Sequence, residues 1–213
     1  DAYTIWPSAV LQDVGFLWVA THDGLVKLKP AIFSKPVVND FYSLLERKNG
    51  TLLLGANRGF IFERSSDSLI PYQQHVVPDA EVRAMYEDEQ GSIWIGTGYQ
   101  GLVLLNNGTQ KRFTKVDGLH SNSLLCFGKA GNGSFYVAGD GGVTRINGDQ
   151  KKSISFTAYY YSPNVSRYAK FFSMIASPDG GLWLGGEEGL VYLRNDSLHS
   201  FTIGGKKYAI QYM

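Results

Sequence analysis

A chain of 213 residues, 44% hydrophobic and 18% charged, is long enough to bury a sizeable core and too apolar to be a disordered segment. Lys+Arg 20 against Asp+Glu 19 leaves a formal charge of +1 with no basic run, which lacks the footprint of a nucleic-acid binder. Apolar runs such as 52–54 fall far short of the roughly 20 residues of a membrane helix, and a lone cysteine, Cys126, excludes an internal disulfide or a cysteine-based zinc cluster.

The chain opens on Asp1 with neither an initiator Met nor a leader-like segment, so a removed leader or a longer parent is expected. One short pattern then recurs five times. It reads AVLQDVGFLWVATHDGLVKL over 9–28, SLLERKNGTLLLGANRGFIF over 43–62 and VRAMYEDEQGSIWIGTGYQGLVLL over 82–105. It returns as LLCFGKAGNGSFYVAGDGGVTRI over 124–146 and SMIASPDGGLWLGGEEGLVYL over 173–193. Trp18, Leu53, Trp94, Tyr136 and Trp183 align, with spacings of 35, 41, 42 and 47 residues, in or near the period of propeller blades. A glycine closes each motif: Gly24, Gly59, Gly101, Gly142 and Gly189.

Within the third copy, Val82, Ala84 and Tyr86 alternate with polar neighbours at the period of a strand. A turn over 89–92 precedes a doubly buried strand at 93–95. A second turn over 97–101 needs a glycine of positive φ. Residues 102–105 form a third strand, Asn107-Gly108 signals a hairpin and 111–115 supply a fourth strand. The expected fold is all-β, a β-propeller of about five four-stranded blades, whether an incomplete ring or a fragment of a larger propeller. One domain spans 1–213, with units at 8–40, 41–80, 81–121, 122–170 and 171–213. A lone blade cannot cover both its faces, so the aligned Trp, Leu and Tyr side chains are expected between neighbouring blades.

Two stretches of the third unit, DEQGSIWIGTGYQGLVLLNN and KRFTKVDGLHSNSLLCF, resemble the two-component regulator propeller repeat. Gly91, Trp94, Gly96, Thr97, Gly101 and Leu102 match its core, and Asp117, Gly118, Leu119 and Asn122 match its linker. The first and fifth units match the core alone, and the second and fourth lack the Trp. The resemblance implies the periplasmic sensor of a bacterial membrane receptor, ahead of a membrane helix and a histidine kinase or diguanylate cyclase. It also implies a polar small-molecule or oligosaccharide ligand and a homodimer formed through the receptor.

Other motifs have plainer explanations. Residues 96–101 spell GxGxxG, but a strand rather than a helix should follow, so no dinucleotide cofactor is expected. His22, His75, His120 and His199 show no metal-ligand spacing, and no GxSxG elbow is present. Glu87-Asp88-Glu89 reads as an acidic turn, and Cys126 as a small core residue. The aromatic stretch 151–172 reads as an outer strand with a self-packed connection, or as a surface for sugars or a partner.

In a propeller the turn between second and third strands opens on the same face as the links between blades. That face should collect His22, Asp23, Asn57, Arg58, Tyr99, Gln100, His120, Asp140, Glu187 and Glu188 as ligand-binding residues, beside Asp117 and Asn122. No catalytic or metal residue and no cofactor is assigned. A protein-interaction or dimerisation scaffold and a propeller lyase are the alternatives.

Overall fold

A computed structural model of the chain describes residues 7–13, 16–21, 24–29, 32–33, 40–65, 68–73, 76–147, 155–160, 169–187, 189–195 and 197–201. These residues form five antiparallel four-stranded sheets, each made of consecutive strands. The first holds β1 (Pro7–Asp13), β2 (Phe16–Thr21), β3 (Gly24–Lys29) and β4 (Ile32–Phe33), and the second β5 (Phe41–Glu46), β6 (Leu52–Ala56), β7 (Ile61–Ser65) and β8 (Ser68–Gln73). The third holds β9 (Val82–Glu87), β10 (Ile93–Thr97), β11 (Leu102–Asn106) and β12 (Thr109–Phe113). The fourth holds β13 (Leu124–Lys129), β14 (Phe135–Gly139), β15 (Gly142–Asn147) and β16 (Ser155–Tyr160). The fifth holds β17 (Phe171–Ala176), β18 (Leu182–Gly186), β19 (Gly189–Arg194) and β20 (Ser197–Phe201). This is the β-propeller architecture, and among the described residues no helix is long and apolar enough to cross a membrane.

The repeat is physical, not merely textual. Four first-to-second-strand turns close with the same two bonds. Arg47, Asp88, Ala130 and Ser177 each donate their N–H to the carbonyl four residues on. Gly50, Gly91, Gly133 and Gly180 each donate back three residues, with φ between 80° and 90°. An Asn or Asp carboxyl or amide oxygen takes a further turn N–H at Asn49, Asp88, Asn132 and Asp179. Asn107-Gly108 makes the expected hairpin, both residues at positive φ (46° and 77°). The fourth strand of that sheet is Thr109–Phe113, two residues earlier than the hydropathy pattern suggests, because the tight hairpin allows pairing to restart at once; Lys115 sits in a 3-10 turn, Lys115–Asp117. In the fourth unit the positive φ (82°) falls on Gly141 and not on Gly142, which already pairs in β15.

The contacts define two compact units, Asp1–Ile95 with Val103–Gln110 and Gly96–Leu102 with Lys111–Met213, and the third sheet contributes to both. In the first unit, strand alternation sends Leu52 and Leu54 towards Trp18, Ala20 and Leu25 of the first sheet. It sends Leu53 the other way, onto Val82, Ile93, Ile95 and Val103 of the third. In the second unit Tyr136, Ala138 and Val143 of the fourth sheet meet Phe171, Leu182, Leu184 and Val191 of the fifth. Each such side chain taken out of water contributes about 1.5–3 kcal/mol, which a single sheet could not collect on both faces. Cys126 belongs to this core, and burial pushes its thiol up to about 12, so it is an inert apolar residue. Trp183 departs from the pattern: it is half-buried, its ring tilted on Tyr192 at 4.3 Å and edge-on to Phe201 at 5.3 Å.

Two features explain the Gly-x-x-Trp-x-Gly wording of the third unit. Trp94 is 3% exposed, and its indole N–H donates to buried Asp88 Oδ2 at 2.8 Å, while Oδ1 takes the Gln90 and Ser92 N–H groups at 3.0 Å. Gly96 leaves room for the Leu124 backbone, since a Cβ there would lie 2.9 Å from the Leu124 carbonyl oxygen. Asp88→Ala strands the indole and the turn amides in a buried site, and should cost about 3 kcal/mol in urea unfolding. Asp88→Asn keeps an acceptor for the turn and should lose less; an alanine variant as stable as the parent would contradict this account.

Candidate functional site

The turns between second and third strands are held by the links that lead into first strands. On one side, Asn57, Asp140 and Glu187 donate their N–H groups to Asp40, Ser123 and Lys170 carbonyls at 3.2, 3.2 and 3.0 Å. On the other, Gly59, Gly101 and Gly141 donate to Ala80, Asn122 and Ala169, the links into the following sheets, at 2.7, 2.8 and 2.7 Å. Within each unit, turns and links thus lie together at one end of the sheets. Gly101 can serve here because its φ is +90° and a Cβ would collide with the Phe113 carbonyl.

Within the unit containing 111–213 these bonds form a continuous strip. The turn carrying Tyr99 and Gln100 bonds to the 122–123 link, that link to Asp140, and the Asp140 turn to the 169–170 link. Lys170 then joins Glu187. Tyr99 is 52% exposed, Lys170 and Glu187 are exposed, and Gln100, Asn122 and Asp140 are half-buried. The Gln100 N–H is held by Thr97 Oγ1 at 2.9 Å, and that hydroxyl donates to the Gly101 carbonyl at 2.8 Å. The side chains above the strip therefore stand on backbone already satisfied.

The other unit carries Asn57 and Arg58 in the 3-10 turn Asn57–Gly59. Asn57 Nδ2 donates to Asp40 Oδ2 at 3.1 Å, and exposed Arg58 sits at φ 53°, a conformation non-glycine residues avoid. His22, Asp23 and Glu188 lie outside the described residues, as does most of the aromatic stretch. Of that stretch, Phe171 is fully buried and Tyr159 packs on the same core. Asp40 in one unit and Lys170 in the other occupy the equivalent link position, and sequence reasoning passed over both. The signal was their place, one residue before a first strand, where Ser123 also sits.

The link 114–123 shows why it reads Asp-Gly-Leu-x-x-Asn. Asp117 Oδ2 accepts from the Thr114 N–H and hydroxyl, Gly118 takes φ 109°, Leu119 is 1% exposed, and Asn122 Oδ1 accepts the Lys115 N–H at 2.8 Å. Asp117 and Asn122 thus fold the link.

His120 was expected on the open face, and it is 2% exposed instead. The Thr144 hydroxyl takes its backbone N–H at 2.9 Å and lies 2.7 Å from Nδ1. A hydroxyl that already accepts one bond is placed to give its proton to Nδ1, leaving the ring proton on Nε2, which is buried with no partner among the described residues. Burial, with the Lys115 charge, drops its pKa from 6.5 to about 3, so the ring is neutral at physiological pH.

Residues 77–99 match the two component regulator propeller family, and the chain carries that repeat. Among solved structures, the extracellular domain of a hybrid two component system from B. thetaiotaomicron aligns at TM-score 0.67 and 20% identity, over 88% of this chain and 27% of that one. A second B. thetaiotaomicron extracellular domain, of another hybrid two component system, aligns at TM-score 0.61 and 16% identity, over 97% and 34%. Virginiamycin B lyase of Staphylococcus aureus, solved with quinupristin, aligns at TM-score 0.71 and 11% identity, over 94% and 71%. This chain therefore spans about a quarter to a third of the two extracellular domains, and at these identities the likeness establishes the fold. No curated protein matches the sequence significantly.

A histidine neutral when folded but protonated when unfolded favours unfolding as pH falls. Stability from this group is full above pH 6.5 and lost as pH drops from there towards 3. Between pH 6.5 and 5 the parent should lose up to about 1.4 kcal/mol per pH unit more than His120→Gln in denaturant titrations. Equal slopes would place a proton on the folded ring.

Proposed function

We propose that this chain is a ligand-sensing propeller segment from the extracellular, periplasmic part of a membrane-bound signalling receptor. Its ligand is a polar small molecule or an oligosaccharide, bound on the face of turns and links. The observation that carries the reading is the continuous strip from Tyr99 to Glu187, whose backbone is tied down while Tyr99, Lys170 and Glu187 stand exposed on it. An exposed tyrosine ring offers a stacking surface to a sugar face. The exposed Glu187 carboxylate and Lys170 ammonium offer an acceptor and a donor to hydroxyls. The matched repeat and the B. thetaiotaomicron likenesses support a receptor context. Coupling to a kinase or cyclase through a receptor dimer follows from that context.

A lyase reading draws on the virginiamycin B lyase fold, but one fold hosts many functions. His120, moreover, is sealed in the interior, away from any open face. An interaction scaffold is the second reading, favoured by the fifth sheet, where Ile175 (69% exposed) and Phe201 (47%) flank Trp183.

Calorimetry of the intact receptor ectodomain against an oligosaccharide panel tests the sensing role. At least one sugar should bind, and Tyr99→Ala and Glu187→Gln should each weaken it tenfold or more, about 1.4 kcal/mol. Binding that ignores both substitutions would contradict the proposed face, and silence across the panel would contradict sugar sensing.

A further inference from the structure

The chain holds four Asn-Gly pairs, at 49–50, 107–108, 132–133 and 147–148. Asparagine is a labile residue, and a following glycine, free of a Cβ, lets its backbone nitrogen swing onto the side-chain carbonyl carbon before it. Whether a given pair reacts in the folded chain depends on what already holds the asparagine amide and the glycine N–H. On that count the four pairs differ.

Two of them sit in the repeated turns between first and second strands and are fastened twice. Asn49 Oδ1 accepts the Thr51 N–H at 3.0 Å, and the Gly50 N–H donates to the Arg47 carbonyl at 2.8 Å. Asn132 Oδ1 accepts the Ser134 N–H at 2.9 Å, and the Gly133 N–H donates to the Ala130 carbonyl at 2.9 Å. At half-buried Asn147 the amide nitrogen, which would have to leave, donates to Thr157 Oγ1 at 2.9 Å. Asn107-Gly108 is unlike these three. It is the loop between β11 and β12, and both residues are exposed. Among the described residues neither the Asn107 side chain nor the Gly108 N–H has a partner. A Cβ on Gly108 would meet nothing within 4 Å, so the space that the reaction needs is open. Fastening of this loop falls to Thr109, whose hydroxyl donates to the Asn106 carbonyl at 2.6 Å.

From this comparison we infer that Asn107 is a self-modification site, at which the folded chain deamidates ahead of its other Asn-Gly pairs. The Gly108 nitrogen gives up its proton to solvent base and attacks Asn107 Cγ. The new N–C bond closes a cyclic succinimide, and the side-chain nitrogen leaves as ammonia. Water then opens the ring at one carbonyl or the other, so that asparagine and water become aspartate or isoaspartate and ammonia. Either product adds a carboxylate to the loop and cancels the formal charge of +1 on the chain. Aspartate preserves the hairpin, because it tolerates the left-handed conformation that Asn107 holds at φ 46°. Isoaspartate inserts a backbone CH₂ into a tight loop, which works against the pairing of β11 with β12. The site does not depend on the sensing role of the turns and links.

Peptide mapping by mass spectrometry of the full chain, held folded in mildly alkaline buffer, tests the inference. Two hydrogen bonds must break at Asn49 or Asn132 before attack, so the 107–108 peptide should convert roughly tenfold faster than either, or more. It should also outrun 147–148. Isoelectric focusing should show a more acidic species growing at the same rate and migrating with Asn107→Asp. In urea, where all four pairs lose their folded partners, the rates should converge. The inference is overturned if Asn107 stays unconverted, if another pair converts as fast in the folded chain, or if the lead of Asn107 persists undiminished in urea.

Discussion

The structure depends on a small backbone exchange repeated along the chain. A glycine in the turn between second and third strands gives its N–H to the carbonyl of the link entering the next sheet, as at Gly59, Gly101 and Gly141. A four-stranded sheet with apolar residues on both faces is stable only when covered on both, and apolar packing alone carries little directional information. The glycine latch supplies the direction. It fixes where each following sheet begins, and the large side chain at the centre of the second strand then fits against it. Leu53 against the third sheet and Tyr136 against the fifth are two results of that arrangement.

The same exchange shapes the candidate site. Because turns and links satisfy one another's backbone groups, their side chains are released from structural duty at Tyr99, Arg58, Lys170 and Glu187. A rigid scaffold with variable side chains on its loops suits a protein that must distinguish one polar ligand from another. At the opposite end of the strands the turns close on themselves through Asn and Asp side chains. There the carboxylate of Asp179 takes the Tyr192 hydroxyl and pairs with Arg194.

Periodic features were legible in the sequence because they are enforced by sterics that act identically in each unit. The aligned Trp18, Leu53, Trp94 and Tyr136 are buried, and Asn107-Gly108 forms its hairpin. Features that depend on a neighbouring sheet were not legible. His120 looks like a polar link residue, yet Thr144, 24 positions later, draws it inside. Gly141 and Gly142 are equivalent as letters, and only the register of β15 decides which one turns. Trp183 carries the strongest letter of the motif but rests on Tyr192 and Phe201 of its own sheet.

Amide hydrogen exchange at the latch glycines tests the central claim most directly. If these N–H groups fasten successive sheets, Gly59, Gly101 and Gly141 should exchange as slowly as the buried strand amides of Ile95 and Val137, although they sit in turns. Exchange as fast as at Val116, which is 93% exposed, would show that the turns are not tied to the links and that the face has no rigid base.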